Sequence, residues 1–227
     1  MMTSNPVKNS LRFLTVGVAL AMAQSALAVS IVITTQVDNS NTDNVLFNDG
    51  SLQHQGLFVQ GNFSGTGTGY TVRFTSPSGN GQIVGSGGQA TITGLAGNDP
   101  FTSLTFGLEN NATFTAAVLN PDVTNAAGNG TINFTVNYVL GDGLGPFAES
   151  FSVNANGQNF FRIDALPDAR ITSINYNSTN TTFADTSQFR LGGFAPGTRV
   201  PDGGATVALM GLALGGLSAG RRFFIKK

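Results

Sequence analysis

A single histidine limits what this chain can catalyse. His54 is the only one in 227 residues, and there is no cysteine. A two-histidine metal site or thiol chemistry is therefore excluded within one chain, and any serine–histidine–acid triad would have to pass through His54. Its surroundings, LQHQG over 52–56, read as a polar turn entering a strand, with no supporting motif. Glu109 and Glu149 are the only glutamates. Two facing carboxylates are the machinery of glycoside hydrolysis, one as acid and one as nucleophile or base. Sequence spacing does not show that these two meet, and exposed turn and strand carboxylates are the plainer expectation.

The stretch DNSNTDN over 38–44 gathers hard oxygen donors, with Asp38, Asn41 and Asp43 as candidate calcium ligands. It does not match the EF-hand register, and loops rich in Asp and Asn are common without metal. Calcium is thus the one cofactor to weigh; otherwise none is expected. Two short patterns imitate catalytic motifs. GLSAG over 216–220 fits a nucleophile elbow but lies in an apolar run rather than at a strand-to-helix turn. GSGGQA over 85–90 fits a relaxed dinucleotide fingerprint but leads into another strand, so no helix N-terminus is at hand for a pyrophosphate; a glycine-rich hairpin is expected there. Aromatic platforms for sugar are few: the chain has no Trp and only Tyr70, Tyr138 and Tyr176, and its 18 Phe are expected in the core.

What would position such residues is a strand-rich scaffold. Alternation of apolar and polar residues runs through 29–200 and is cleanest in TINFTVNYVL over 131–140, where Ile132, Phe134, Val136 and Tyr138 share one face. Similar runs at 29–37, 56–63, 69–75, 89–93, 102–108, 112–119, 148–153, 159–164, 170–176 and 187–191 are separated by Gly, Asn, Asp and Pro clusters. The strands 102–108 and 112–119, joined by Glu109-Asn110-Asn111, read as a hairpin. No crossover helix is visible, so the fold class is all-β: an antiparallel β-sandwich, jelly-roll-like, formed as one domain over 29–199. Phe183 to Phe194 reads as a closing strand, with Arg190 expected to pair with an acid.

Charge divides the chain in three. Residues 1–28 carry Lys8 and Arg12 without an acid; residues 29–200 carry five arginines against eleven carboxylates; residues 201–227 carry Arg221, Arg222, Lys226 and Lys227 against Asp202. The near-neutral total of -1 thus hides an acidic, lysine-free middle. Such a middle excludes a strongly basic nucleic-acid binder. The first segment reads as a secretory signal peptide, 1–28: a basic start, the apolar run FLTVGVALAMA, and Ala26-Leu27-Ala28 as the cleavage site. The Sec translocon is the partner this implies.

The last segment, 200–227, combines Val200-Pro201-Asp202-Gly203-Gly204, an uncharged stretch from Gly203 to Gly220, and the basic pair Arg221-Arg222. As a helix the stretch reaches about 27 Å, slightly less than a typical hydrocarbon core and so only just able to cross a bilayer, with the arginines holding the end on the cytoplasmic side. This tripartite tail resembles the PEP-CTERM protein-sorting signal in its VPD-type variant, VPDSG, with Gly203 standing where that variant often has Ser. The resemblance implies a Gram-negative source and handling by an exosortase, a membrane-embedded protease-transpeptidase. Proteins carrying such tails commonly accompany exopolysaccharide loci. Pro201 and the two glycines should keep the motif extended and accessible.

Together these features point to an exported, non-enzymatic protein. It would be held transiently in the inner membrane by its C-terminal helix, then placed at the cell surface or in the extracellular matrix. The alternative is a secreted carbohydrate-binding module or polysaccharide hydrolase with the same tail, in contact with extracellular polysaccharide.

Overall fold

The computed structural model describes residues 29–35, 38–76, 81–87, 90–95, 100–124, 130–141, 144–155 and 159–197. The signal peptide with Ala26 and Ala28, the motif Val200 to Gly204 and the pair Arg221-Arg222 lie outside the described residues. No helix among the described residues is long and apolar enough to cross a membrane.

Fourteen strands follow one another: β1 Ile31–Thr34, β2 Asp43–Leu46, β3 Gln55–Gly56, β4 Phe58–Phe63, β5 Val72–Thr75, β6 Ile83–Ser86, β7 Thr91–Gly94, β8 Ser103–Leu108, β9 Ala116–Val123, β10 Gly130–Leu140, β11 Phe147–Ala155, β12 Phe161–Ala165, β13 Ala169–Thr179 and β14 Phe183–Gly192. A single 3-10 turn at Gly65–Gly67 is the only helical element among the described residues. All the pairings are antiparallel, and the hydrogen-bonded path runs β1-β12-β9-β14-β2-β4-β5-β8-β13-β10-β11, with β7, β6 and β3 extending from β14.

The path folds back into two facing layers. Phe189 on β14 lies 4.6 Å from Phe74 on β5 and 5.6 Å from Phe106 on β8, ring to ring, while Phe161 on β12 meets Phe134 on β10 at 5.1 Å. These aromatic side chains are almost fully buried and form the centre of one continuous core. Each such ring removes a large apolar area from water, and the tilted and edge-on geometries add to that burial.

Expectation and structure agree where the side-chain period is unbroken. Gly130 to Val139 in β10 alternates buried and half-buried residues along its length. The glycine-rich hairpin also forms, as β6 paired with β7. Three local expectations are corrected. The segments on either side of Glu109-Asn110-Asn111 are not a hairpin: β8 lies between β5 and β13, whereas β9 lies between β12 and β14. Asn110 and Asn111 both take left-handed backbone, with φ of 58° and 57°, a region Asn tolerates. The chain then crosses between layers, and Ala112, Thr113 and Phe114 are consecutively buried rather than alternating.

The closing strand forms within 183–194 as expected, but the two-residue alternation expected over 187–191 is broken. Bulges shift its register between Phe183 and Asp185 and between Ser187 and Arg190, and Gln188 has φ 55°. Each bulge moves the buried set by one residue, so the simple period of two disappears. Finally, Asp43 and Asn44 stand in β2, which joins the two layers by pairing with β14 and β4. Asp and Asn are poor strand formers; their pairing with Leu191 and Arg190 overrides local preference.

Candidate functional site

The outer face of the layer β4-β5-β8-β13-β10-β11 is built almost wholly of small polar side chains. Register aligns Thr105, Asn175, Thr135 and Ser150 in one row, and Ser103, Asn177, Asn133 and Ser152 in the next. The rows are knitted together by side-chain bonds. Asn175 Nδ2 donates to Thr105 Oγ1 at 2.7 Å, Ser152 Oγ donates to Asn133 Oδ1 at 2.7 Å, and Asn133 Nδ2 donates to Thr179 Oγ1 at 2.9 Å. Asn137 Nδ2 donates to Ser173 Oγ at 3.0 Å. Such pairs lose little by facing water, and they fix amide and hydroxyl groups in a flat array.

At one end this face opens into a groove of about 540 Å³ across β5, β8 and β13, lined among others by Arg73, Thr75, Thr105, Gly107, Glu109 and Ser173. Gly107 forms its floor. A Cβ there would stand 2.7 Å from the carbonyl oxygen of Thr172, so no side chain fits. Arg73, opposite Gly107 in register, stacks its guanidinium over the Phe58 ring at 3.7 Å. Glu109 Oε1 accepts from Gln60 Nε2 at 2.6 Å, and the Glu109 backbone N–H donates to the Thr71 carbonyl at 2.9 Å, which sets the carboxylate at the groove's end.

The residues singled out for chemistry are dispersed. Glu149 pairs with Val136, Val136 with Ile174, and Ile174 with Phe106. Glu149 is therefore three strands from β8, about 14 Å at the usual strand spacing, and Glu109 lies beyond the end of β8. Glycosidase carboxylates stand at most about 9.5 Å apart, so Glu109 and Glu149 do not form an acid–nucleophile or acid–base pair. His54 packs its ring edge-on to Phe47, centroids 5.8 Å apart, and its buried Nε2 has no partner among the described residues.

The candidate calcium ligands serve other partners. Asp38 Oδ1 accepts from the Ser40 N–H at 2.8 Å, and this turn holds the exposed carboxyl below its usual pKa. Arg162 reaches the Asp38 and Ser40 carbonyls and holds Asp164 through Nε at 2.8 Å. Asp43 Oδ2 accepts from Thr66 Oγ1 at 2.7 Å and from the Gly67 N–H at 2.6 Å. Asn41 takes φ 57°. Among the described residues no cluster of three or more His, Cys, Asp or Glu could hold a metal ion. Arg190 pairs with no acid among the described residues: its donors go to Thr42 Oγ1, Asn44 Oδ1 and the Thr42 carbonyl at 3.0, 2.5 and 2.8 Å.

Arg73 and Gly107 carry little mark of a site in the sequence. Their signal was faint: a lone arginine on the polar side of a short strand, and a glycine interrupting an otherwise regular one. Of the tyrosines, Tyr138 and Tyr176 are buried, while Tyr70 stacks on Phe194 with ring centroids 5.2 Å apart.

The described architecture defines an all-β, antiparallel protein. No family model matches the chain, and no curated protein matches it. Among solved structures it is similar to a family 11 carbohydrate-binding module from Clostridium thermocellum, in complex with a β-1,3-1,4-mixed-linked tetrasaccharide. The likeness has 14% identity and a TM-score of 0.31, and it covers 67% of this chain and 96% of that one. A likeness this slight defines neither ligand nor site.

Proposed function

We propose that this is an exported, non-enzymatic β-sandwich protein that presents its Asn/Thr/Ser face to extracellular polysaccharide, at the cell surface or in the matrix. The observation that carries the reading is the outer face of β4-β5-β8-β13-β10-β11. There, amides and hydroxyls are held in register by one another rather than by a core, and an open groove interrupts them. A saccharide offers the matching chemistry, since each of its hydroxyls both donates and accepts. The dispersal of Glu109, Glu149 and His54 supports binding over hydrolysis.

Delivery, on this reading, uses the signal peptide and Sec translocon, then transient anchoring by the C-terminal helix and handling by an exosortase at Val200 to Gly204. Two measurements test the proposal. Full-length protein in mild detergent should be retarded in native gels containing soluble polysaccharide; unchanged mobility in all of them would refute the binding role. Intact-mass analysis of protein recovered from its cells should show a species ending near Pro201, whereas retention of Lys227 would mean a permanent anchor.

A further inference from the structure

We infer that the groove floored by Gly107 is a saccharide site, one that takes adjacent hydroxyls of a neutral hexose between the Arg73 guanidinium and the Glu109 carboxylate. This rests on the reading that the polar face meets polysaccharide, and it names where and how.

Arg73 stands apart from the other described arginines. Arg162, Arg170 and Arg190 are all consumed by structure. Arg170 donates to Thr113 Oγ1 and to the Gly193 carbonyl, and the other two bind the oxygens named above. Arg73 makes no hydrogen bond or ion pair with any described residue and is held only by its stack on Phe58. Stacking fixes the plane of a guanidinium while leaving its edge donors available. Glu109 is poised in the complementary sense. Gln60 occupies Oε1, and the second carboxylate oxygen has no partner among the described residues.

Gln60 and Gly107 flank Arg73 in register on either side. Donor edge, acceptor oxygen and bare backbone floor therefore share one patch of the outer face. Two adjacent sugar hydroxyls need that combination: donors directed at their oxygens and an acceptor for their protons. A flat floor without side chains lets the ring lie against the strand. An acidic sugar fits less well, because its carboxylate would meet Glu109 and a region of the chain with an excess of six carboxylates over arginines.

Affinity electrophoresis of the full-length chain in mild detergent tests this, with hydroxyethylcellulose and dextran as neutral probes and alginate as the acidic one. Arg73→Gln and Glu109→Gln should each weaken retardation by a neutral polymer about tenfold, the loss of one charged hydrogen bond, while melting temperatures stay unchanged. Retardation by a neutral polymer that survives both substitutions would overturn the groove assignment while leaving the face as the binding surface. Retardation by alginate alone, lost in Arg73→Gln and kept in Glu109→Gln, would overturn it in favour of an anion site. Absence of retardation by all three would overturn both readings together.

Discussion

The backbone N–H of Ser30 donates to Glu149 Oε1 at 3.0 Å, across 119 positions of sequence. Ser30 immediately precedes β1, and Glu149 stands near the start of β11, the two ends of the strand path. One side chain thus ties together the open edges that the two layers would otherwise leave apart. The Tyr138 hydroxyl donates to the same oxygen at 3.0 Å. Burial, reinforced by the Glu149 charge, holds this phenol above its ordinary pKa, so it remains a donor.

Replacing Glu149 should loosen that edge rather than abolish an activity. Glu149→Ala removes the oxygen that the Ser30 N–H and the Tyr138 hydroxyl share, at a cost of about 1.5 kcal/mol. Glu149→Gln keeps an oxygen and should lose less. Urea unfolding reads the total, and hydrogen exchange should speed up selectively at Ile31 to Thr34. Unchanged stability and exchange in the alanine variant would remove the closing role assigned to this bond.

Arg190 makes a sharper case against conservative replacement. Its fork satisfies three oxygens on the Thr42–Asn44 segment, and that segment leads into the strand joining the layers. Lysine has the charge but not the planar set of donors. Arg190→Lys should therefore cost about 2 kcal/mol, visible as a lower midpoint in chemical denaturation; a midpoint equal to that of the parent would show that charge alone suffices.

The same loop bears on calcium. Asp38 and Asp43 are engaged by Ser40, Arg162, Thr66 and Gly67, so an ion would have to displace protein donors to collect its ligands. Removing divalent cations with EDTA is expected to leave the melting temperature within about 1 °C. A calcium-dependent rise of several degrees would mean that the loop rearranges around the ion.

What could be read in the sequence, and what could not, follows from period and register. β10 was legible because Ile132, Phe134, Val136 and Tyr138 repeat every two residues, and that repeat is the burial pattern itself. β14 was only half legible, since its bulges change which residues face inward. The groove was not legible at all. Arg73, Gly107 and Glu109 belong to strands or turns that become neighbours only through pairing, and nothing local marks Arg73 as the one described arginine that makes no hydrogen bond to a described residue. The carboxylate pair failed for the same reason in reverse: Glu109 and Glu149 share a chemistry but not a place.

Asp185 sits directly opposite Asp122 in the β14–β9 pairing. Burial, and secondarily the Asp122 charge, raises its pKa above the ordinary 3.8. A carboxyl whose folded pKa is raised binds its proton more tightly in the native than in the unfolded chain. Stability from this group therefore increases as pH falls through the folded value and levels off below the unfolded one. At neutral pH the native state carries the charged, disfavoured form. Asp185→Asn should accordingly stabilise the protein at pH 7, by about 0.5 kcal/mol because the site is still partly solvated, which corresponds to about 1–2 °C in melting temperature. The advantage should shrink on acidification and vanish below pH 3.8, where both forms are neutral. Asp38 and Asp49, held low by Ser40 and Ser51, titrate in the opposite sense, but they are common to parent and variant and cancel in the difference. Melting curves of both proteins from pH 3 to 8 decide the matter: an advantage that does not depend on pH would be due to packing or strand preference, not to a charge the fold resists.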